Sequence, residues 1–119
     1  MGDTVTESWH TGNAAEDGVD TRGWIVGHFL DPSHGVRSTS DVEVKWATHP
    51  EGDKRAGWTT DDQRTTLVML ISGRFRVEST QGDATFTKPG DYATWGPGVD
   101  HTWEALEESV VLTVRWPSV

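Results

Sequence analysis

Hydrophobic and polar residues alternate with a period of two along most of this chain. Residues 41–48, DVEVKWAT, are the clearest case. Since successive side chains of a strand point to opposite faces, the pattern predicts a half-buried strand there. One face of this strand carries Val42, Val44, Trp46 and Thr48.

Further short segments of this kind follow, separated by turn residues. Residues 65–71 form a continuous apolar run, which predicts a strand buried on both faces and ended by Ser72-Gly73. Residues 74–80 alternate again, so we predict a hairpin from Leu67 to Val77. The other predicted strands are 23–30, 84–88, 92–95, 101–105 and 109–116. Many short strands without a helical period indicate an all-β sandwich or barrel.

The chain length of 119 residues suits one domain. Residues 1–20 are polar and acidic, and they predict a flexible N-terminal arm. Residues 21–119 then form a single β domain, in which no internal repeat is evident.

Charge and apolar run length limit the partners. The formal net charge of −9 disfavours nucleic acid, because such a surface repels phosphate backbones. The longest apolar run, Leu67–Ile71, is far too short for a membrane span, and the first residues lack the features of a signal peptide. The chain has no cysteine, which fits a reducing compartment. We therefore expect a cytoplasmic protein.

Two stretches resemble the motifs of the cupin superfamily. LVMLISGRFRV, residues 67–77, is similar to the hairpin that closes the first cupin motif. PGDYATWGPGVDHTW, residues 89–103, is similar to the second motif, G-x5-P-x-G-x2-H-x3-N. The resemblance covers about residues 40–116 and implies a cupin-type jelly-roll barrel, also called a double-stranded β-helix.

The second motif is matched in part. Gly90, Gly98 and His101 fall in register, the proline is displaced by one place to Pro97, and Ala105 stands where the motif has Asn. A glycine and a proline together specify a tight turn, which aims the following strand. If the likeness holds, His101 faces the barrel cavity.

The chain also resembles a group of small single-domain cupins from bacteria and archaea, some of which carry the label signal peptidase I. A leader peptidase combines a Ser-Lys dyad with a membrane anchor. We do not expect that activity here, because no segment of this sequence is apolar enough for an anchor.

The resemblance implies a metal site whose usual ligands are missing. Metal-binding cupins use G-x5-H-x-H-x3,4-E-x6-G, and counting back from Gly73 puts Thr66 in place of the Glu. The two His positions hold Thr59 and Asp61, or Thr60 and Asp62. We favour no cofactor, because threonine is a poor ligand for divalent transition metals.

An atypical metal site is the alternative. His101, His49 and Asp61 or Asp62 would make a two-His-one-carboxylate set for Fe, Mn, Zn or Ni. However, His49 is out of phase with the apolar face of its strand, so we expect it to point away from whatever that face meets.

His101 is the candidate catalytic residue, because the pKa of histidine suits proton transfer near neutral pH. It is otherwise a ligand anchor, or simply a hydrogen-bonded cavity histidine. Tyr92, Arg64 and Arg115 are candidate ligand contacts at the barrel rim or cavity. Arg115 would reach a ligand carboxylate only if Val111 and Thr113, which share its face, look into the cavity.

Seven tryptophans are far more than usual for this length. Trp24 and Trp116 are expected in the core. The tryptophans that flank the two motif regions are Trp46, Trp58, Trp95 and Trp103. A cavity lined by such rings suits a flat ligand that is apolar or cationic.

Three functions therefore compete. The first is a small-molecule-binding cupin that acts as an isomerase, lyase or cyclase through His101. The second is a non-catalytic ligand sensor or carrier. The third is a non-haem metal oxygenase with atypical ligands. In each case we expect a homodimer, because small jelly rolls leave exposed edges for a partner to cover.

Overall fold

The computed structural model describes residues 8–119, which form two antiparallel sheets. The eight strands are β1 Trp24–Val26, β2 Glu43–His49, β3 Thr65–Ser72, β4 Phe75–Ser79, β5 Gly82–Phe86, β6 Tyr92–Trp95, β7 His101–Ala105 and β8 Ser109–Trp116. The large sheet has the order β1-β2-β8-β3-β6 and the small sheet the order β5-β4-β7. A short helix, α1 Ala14–Asp17, precedes the strands, and two 3₁₀ turns joined at Gly35 span Pro32–Arg37.

The core lies between the two sheets. It is built from Val68, Leu70, Phe75, Val77, Phe86, Ala105 and Val111. In β3 and β4, which contribute to this core from the two sheets, buried side chains alternate with partly buried ones, as the sequence predicts. The prediction of an all-β jelly-roll barrel is confirmed.

The predicted hairpin from Leu67 to Val77 is wrong. β3 pairs with β6 and β8, whereas β4 pairs with β5 and β7, so the chain crosses from one sheet to the other at Gly73. Gly73 has a φ of +96°, and a Cβ there would lie 2.2 Å from the carbonyl oxygen of Glu108. The Ser-Gly turn is therefore a tight sheet crossover, which a local sequence pattern does not distinguish from a hairpin turn.

The faces of the large sheet are reversed relative to the hydrophobic pattern. In β2 the buried residues are Glu43 and Ala47, whereas Trp46 is turned to the other side. β3 buries one face only, through Thr66, Val68 and Leu70, so the prediction that both of its faces are buried is wrong. The outer face of the large sheet is formed by Val44, Trp46, Leu67, Met69, Leu112 and Val114.

The segment before β1 lies beside the edge of β2. Gly23 accepts a hydrogen bond through its carbonyl from the backbone N–H of Trp46. Asn13 caps α1 by accepting from the N–H of Glu16. The predicted arm, residues 1–20, thus contains a helical turn, and its first seven residues lie outside the described part of the chain. The flexibility of the arm stays a prediction.

Candidate functional site

A cavity of about 170 Å³ lies between the two sheets and is open to solvent. β2, β3 and β8 contribute their inward side chains from the large sheet, and β4 and β7 contribute from the small sheet. Exposed Arg55, on the loop after β2, marks its mouth. Six aromatic side chains line the cavity: Trp24, Phe75, Trp95, Trp103 and the rings of His49 and His101.

The charged groups of this cavity all have one sign. Lys45, Arg55 and Arg115 line it together with His49 and His101, and no Asp or Glu of the described chain is among the lining residues. The chain as a whole carries a formal net charge of −9. The cavity is therefore positively charged in a protein whose net charge is negative.

A buried carboxylate holds Arg115 in place. Glu43 is only 2% exposed, and its Oε2 accepts from Arg115 Nε at 2.7 Å and from Arg64 Nη1 at 2.8 Å. Arg64 also donates to both carboxylate oxygens of Asp62, at 2.9 and 3.0 Å. The hydrogen bond from Arg64 lowers the pKa of Asp62. This network fixes the Arg115 guanidinium at one end of the cavity.

Burial lowers the pKa of Arg115, and the charge of Glu43 opposes that effect. Arg115 also stands 4.7 Å from the centre of the Trp24 ring, a cation–π distance. An arginine stays protonated in such surroundings, so this end of the cavity carries a permanent positive charge.

Lys45 lies half-buried on the inward face of β2, two residues after Glu43. Its Nζ is 5.4 Å from the centre of the Trp24 ring. Within residues 8–119 no carboxylate oxygen lies within 4.0 Å of this ammonium. Burial lowers the pKa of Lys45, and the charges of Arg115, Arg22 and Arg55 lower it further.

His101 begins β7 and is 8% exposed. Its Nδ1 is 3.1 Å from the carbonyl oxygen of Val99, and its ring lies 4.6 Å from that of Trp95. Because a carbonyl only accepts, Nδ1 carries the proton and Nε2 is the basic nitrogen of the neutral ring. The Gly98 turn, with a φ of +82°, orients this strand entry.

His49 lines the same cavity and points away from the Trp46 face of β2, as its phase predicts. Its Nδ1 is 2.7 Å from Oδ2 of Asp53, and its ring packs 4.4 Å from that of Trp103. What the sequence did not reveal is that the polar phase of β2, not the apolar one, faces inward.

Several predicted ligand contacts lie away from the cavity. Trp46 and Tyr92 are on the outer face of the large sheet, and Tyr92 is 59% exposed. Trp58 is 47% exposed on the loop before β3, and Arg64 is engaged by Glu43 and Asp62. The expectation of core positions for Trp24 and Trp116 is also wrong, because Trp24 lines the cavity and Trp116 is exposed.

Trp95, Trp103, Arg115 and His101 are the predicted site residues that the structure brings together. Sequence reasoning missed Lys45 and Arg55 altogether, and it considered Thr66 only as a lost metal ligand. Thr66 Oγ1 is buried without a hydrogen-bond partner in the described chain. The alternation of β2 carried a signal for Lys45 and His49, because these residues share one phase.

The residues proposed for an atypical metal site do not fit one. Among residues 8–119 no three His, Asp or Glu side chains are grouped to hold a metal ion. Asp62 is held by Arg64, and His49 is held by Asp53. Asp61 is exposed on the loop before β3, where its N–H donates to Asp100. We therefore assign no step to a metal.

Solved structures similar to this one include several cupins. A KdgF structure from Halomonas sp. has a TM-score of 0.61 at 22% identity, covering 69% of this chain and 75% of that one. An RmlC-like cupin from Shewanella frigidimarina has a TM-score of 0.59 at 15% identity, with 66% and 68% covered. A cupin domain from Bordetella pertussis has a TM-score of 0.51 at 22% identity, with 66% and 84% covered.

Neither a protein-family model nor a curated protein sequence matches the chain. The structural likeness is therefore the basis for the cupin fold of this chain. At identities of 15–22% it shows the fold alone. Over the described residues, no helix has the length and apolar character needed to cross a membrane.

Proposed function

We propose that this cupin-fold chain binds a small organic anion, a carboxylate carried on a single ring, in the cavity between its sheets. The observation that supports this most is the charge of the lining. Lys45, Arg55 and Arg115 meet there without a lining carboxylate, in a chain of net charge −9. Glu43 compensates Arg115, whereas Lys45 has no carboxylate partner among the described residues, and an anionic ligand would supply one.

Size and wall chemistry support a single ring. An apolar cavity of about 150 Å³ admits a molecule the size of benzene, and this cavity measures about 170 Å³. The rings of Trp95 and Trp103 offer stacking surfaces. The ligand thus has a flat apolar part against these rings and a carboxylate toward Arg115.

This proposal replaces the expectation of a cationic ligand. Tryptophan rings alone would attract a cation, but three positively charged side chains at the same cavity repel one. Two of them, Lys45 and Arg115, already stand against Trp24.

Calorimetric titration with three matched compounds tests the charge of the ligand. We expect 3-phenylpropanoate to bind, and we expect its uncharged amide and the cation 3-phenylpropylamine to bind at least tenfold more weakly. Arg55→Gln should weaken binding of the anion, while Arg76→Gln, on an arginine that pairs with Glu78 and Asp83 away from the cavity, should not. Equal binding of all three compounds, or none of the anion, would overturn the proposal.

Proton transfer on the bound ligand is a second candidate function. It is supported by two histidines at one cavity, each with Nδ1 engaged and Nε2 left as the basic nitrogen. His101 would be the acid/base of an isomerase, lyase or cyclase. A sensor or carrier would use the same cavity without turnover. If the protein is an enzyme, His101→Gln should abolish its turnover and retain ligand binding.

We further propose that two copies associate through the outer face of the large sheet. Leu112 lies at the centre of that face, paired with Trp46 on one side and Met69 on the other. No Asp, Glu, Lys or Arg projects from this face on the described strands β2, β3, β6 and β8. Copies of a chain of charge −9 approach with least repulsion through such a surface, and a two-fold dimer uses one surface twice.

Sedimentation analysis over a range of concentrations tests the dimer. Leu112→Lys should give a monomer, because a lysine would be buried against its own copy. Thr85→Lys, an exposed position on β5 of the small sheet, is the matched control and should leave the dimer intact. A wild-type protein that stays monomeric at high concentration would contradict the proposal.

A further inference from the structure

We propose that Lys45 forms a covalent imine with the carbonyl carbon of a ligand that also carries a carboxylate, of which a 2-oxo acid is the simplest class. This inference rests on the proposed function, since the same cavity must first bind the anion. It adds a reaction and a nucleophile to that binding.

The placement of Lys45 is unlike that of the other two lysines. Lys45 is half-buried in the cavity wall, whereas Lys54 and Lys88 are exposed on loops. A ligand held in the cavity therefore meets one lysine only. The chain supplies its own internal controls for reactivity.

The side chains around Lys45 favour its neutral, nucleophilic form. Arg115 on β8, Arg22 on the segment before β1, and Arg55 on the loop after β2 are the charged groups that act on it. A lysine in such partly buried, cationic surroundings has a lowered pKa and is a recognised nucleophile type. The Trp24 ring favours the ammonium, but it is shared with Arg115.

Geometry places the carboxylate next to the reacting carbon. Arg115 and Lys45 both stand against the Trp24 ring, at 4.7 and 5.4 Å from its centre. Glu43 takes the Nε of Arg115 and Asp62 lies 3.9 Å from its Nη1, which leaves Nη2 for an acceptor on a ligand. Both cations line one cavity, and the charge of Arg115 acts on Lys45. A 2-oxo acid carries its carbonyl and carboxylate on adjacent carbons, so it suits a lysine and an arginine that share one ring.

The reaction balances with no further reagent. The Nζ lone pair of neutral Lys45 attacks the carbonyl carbon, and the carbonyl oxygen takes up a proton to give a carbinolamine. That proton is one of the two on Nζ. The hydroxyl takes the second Nζ proton as the C–O bond breaks, so that the imine forms and one water leaves. His49 and His101, through Nε2, are the groups in this cavity able to move those protons.

Borohydride trapping tests the imine, because hydride reduces the C=N bond to a stable secondary amine. The full chain is incubated with phenylpyruvate, reduced, digested and mapped by mass spectrometry. We expect labelling of Lys45 at least tenfold above that of Lys54 and Lys88. Phenylacetone, which lacks the carboxylate, should label Lys45 at least tenfold less, and 3-phenylpropanoate, which lacks the carbonyl, not at all.

Two variants complete the design. Lys45→Arg keeps the charge but removes the primary amine, so the cavity adduct should be lost, and its thermal unfolding shows whether it is folded. Lys88→Arg, at an exposed position, should leave labelling of Lys45 unchanged.

Failure of the imine is distinguishable from failure of the binding proposal. If 3-phenylpropanoate binds by calorimetry but phenylpyruvate leaves no adduct on Lys45, the imine is overturned and anion binding stands. Equal labelling of the three lysines also overturns it. If neither compound binds, the proposed function fails, and the imine fails with it.

Discussion

The two faces of the large sheet differ in charge, and the charged face is the inner one. The outer face carries Val44, Trp46 and Leu112, all uncharged, whereas the inner face carries Glu43, Lys45 and Arg115. In a jelly roll with a filled interior the reverse would hold. The comparison shows that one end of this barrel serves as a polar cavity, while the apolar core is concentrated where Leu70, Phe75 and Phe86 meet.

Breaking the inner network at its buried carboxylate should have the largest effect. Glu43→Gln removes the charge that two arginines share, and we expect a loss of about 3 kcal/mol in the free energy of unfolding, measured with urea. Glu78→Gln, which breaks the half-exposed pair with Arg76, is the control and should change far less. Similar effects of both changes would contradict the structural role of Glu43.

Asp62→Asn should cost about 1–2 kcal/mol at neutral pH, because it removes charge-assisted hydrogen bonds from Arg64. The pKa of Asp62 is lower in the folded protein than its usual value of 3.8. Its carboxylate therefore stabilises the fold above that value, and the contribution is lost as pH falls through the lower, folded pKa. The difference between wild type and Asp62→Asn should shrink from about pH 4 downward; a pH-independent difference would refute this assignment.

A matched pair of tryptophans compares the two faces directly. Trp103→Leu should weaken binding of 3-phenylpropanoate about tenfold, or about 1.4 kcal/mol, because an aromatic wall of the cavity is lost. Trp46→Leu, on the outer face, should leave that affinity unchanged and weaken self-association instead. Titration calorimetry and sedimentation measure the two effects. If Trp46→Leu weakened ligand binding and Trp103→Leu weakened self-association, the roles given to the two faces would be wrong.

Lys45→Met should give the smallest change in stability, and of opposite sign. It removes a partly desolvated cation from beside Arg115, so we expect thermal unfolding to show a gain of about 0.5 kcal/mol, a figure reduced for solvent screening. Ligand binding should weaken at the same time, as is usual where a site trades stability for function. A loss of more than about 1 kcal/mol would show that Lys45 is a structural residue instead.

Much of the fold could be predicted because it depends on local patterns. The strands at 92–95, 101–105 and 109–116 agree with their predicted limits, since turn residues bound them on both sides. The Leu67–Val77 hairpin failed because Gly73 specifies a tight turn without specifying which strand lies alongside. Its close contact with Glu108, from a distant part of the chain, decides that.

The candidate site was half predictable. His101 and Trp103 were found because the residues around the Gly98 turn resemble a known motif, and that motif fixes their phase. Lys45 was missed and His49 was not placed at the cavity, because alternation separates two faces but does not say which one is inside. An apolar outer face, which we propose a second copy covers, misleads any argument that equates apolar with core.

By itself, then, the sequence determined the all-β class, the limits of β6, β7 and β8, and the absence of charge from one face of the large sheet, since each depends on neighbouring residues. Only the tertiary structure decided that this uncharged face lies outside, that Glu43 is shared by Arg64 and Arg115, and that Lys45 shares a cavity with two histidines. Arg64 and Arg115 lie 21 and 72 positions from Glu43 along the chain. Strand pairing within the large sheet brings Glu43 and Arg115 together, and packing of the small sheet against it adds His101 to the cavity. No local pattern records either event.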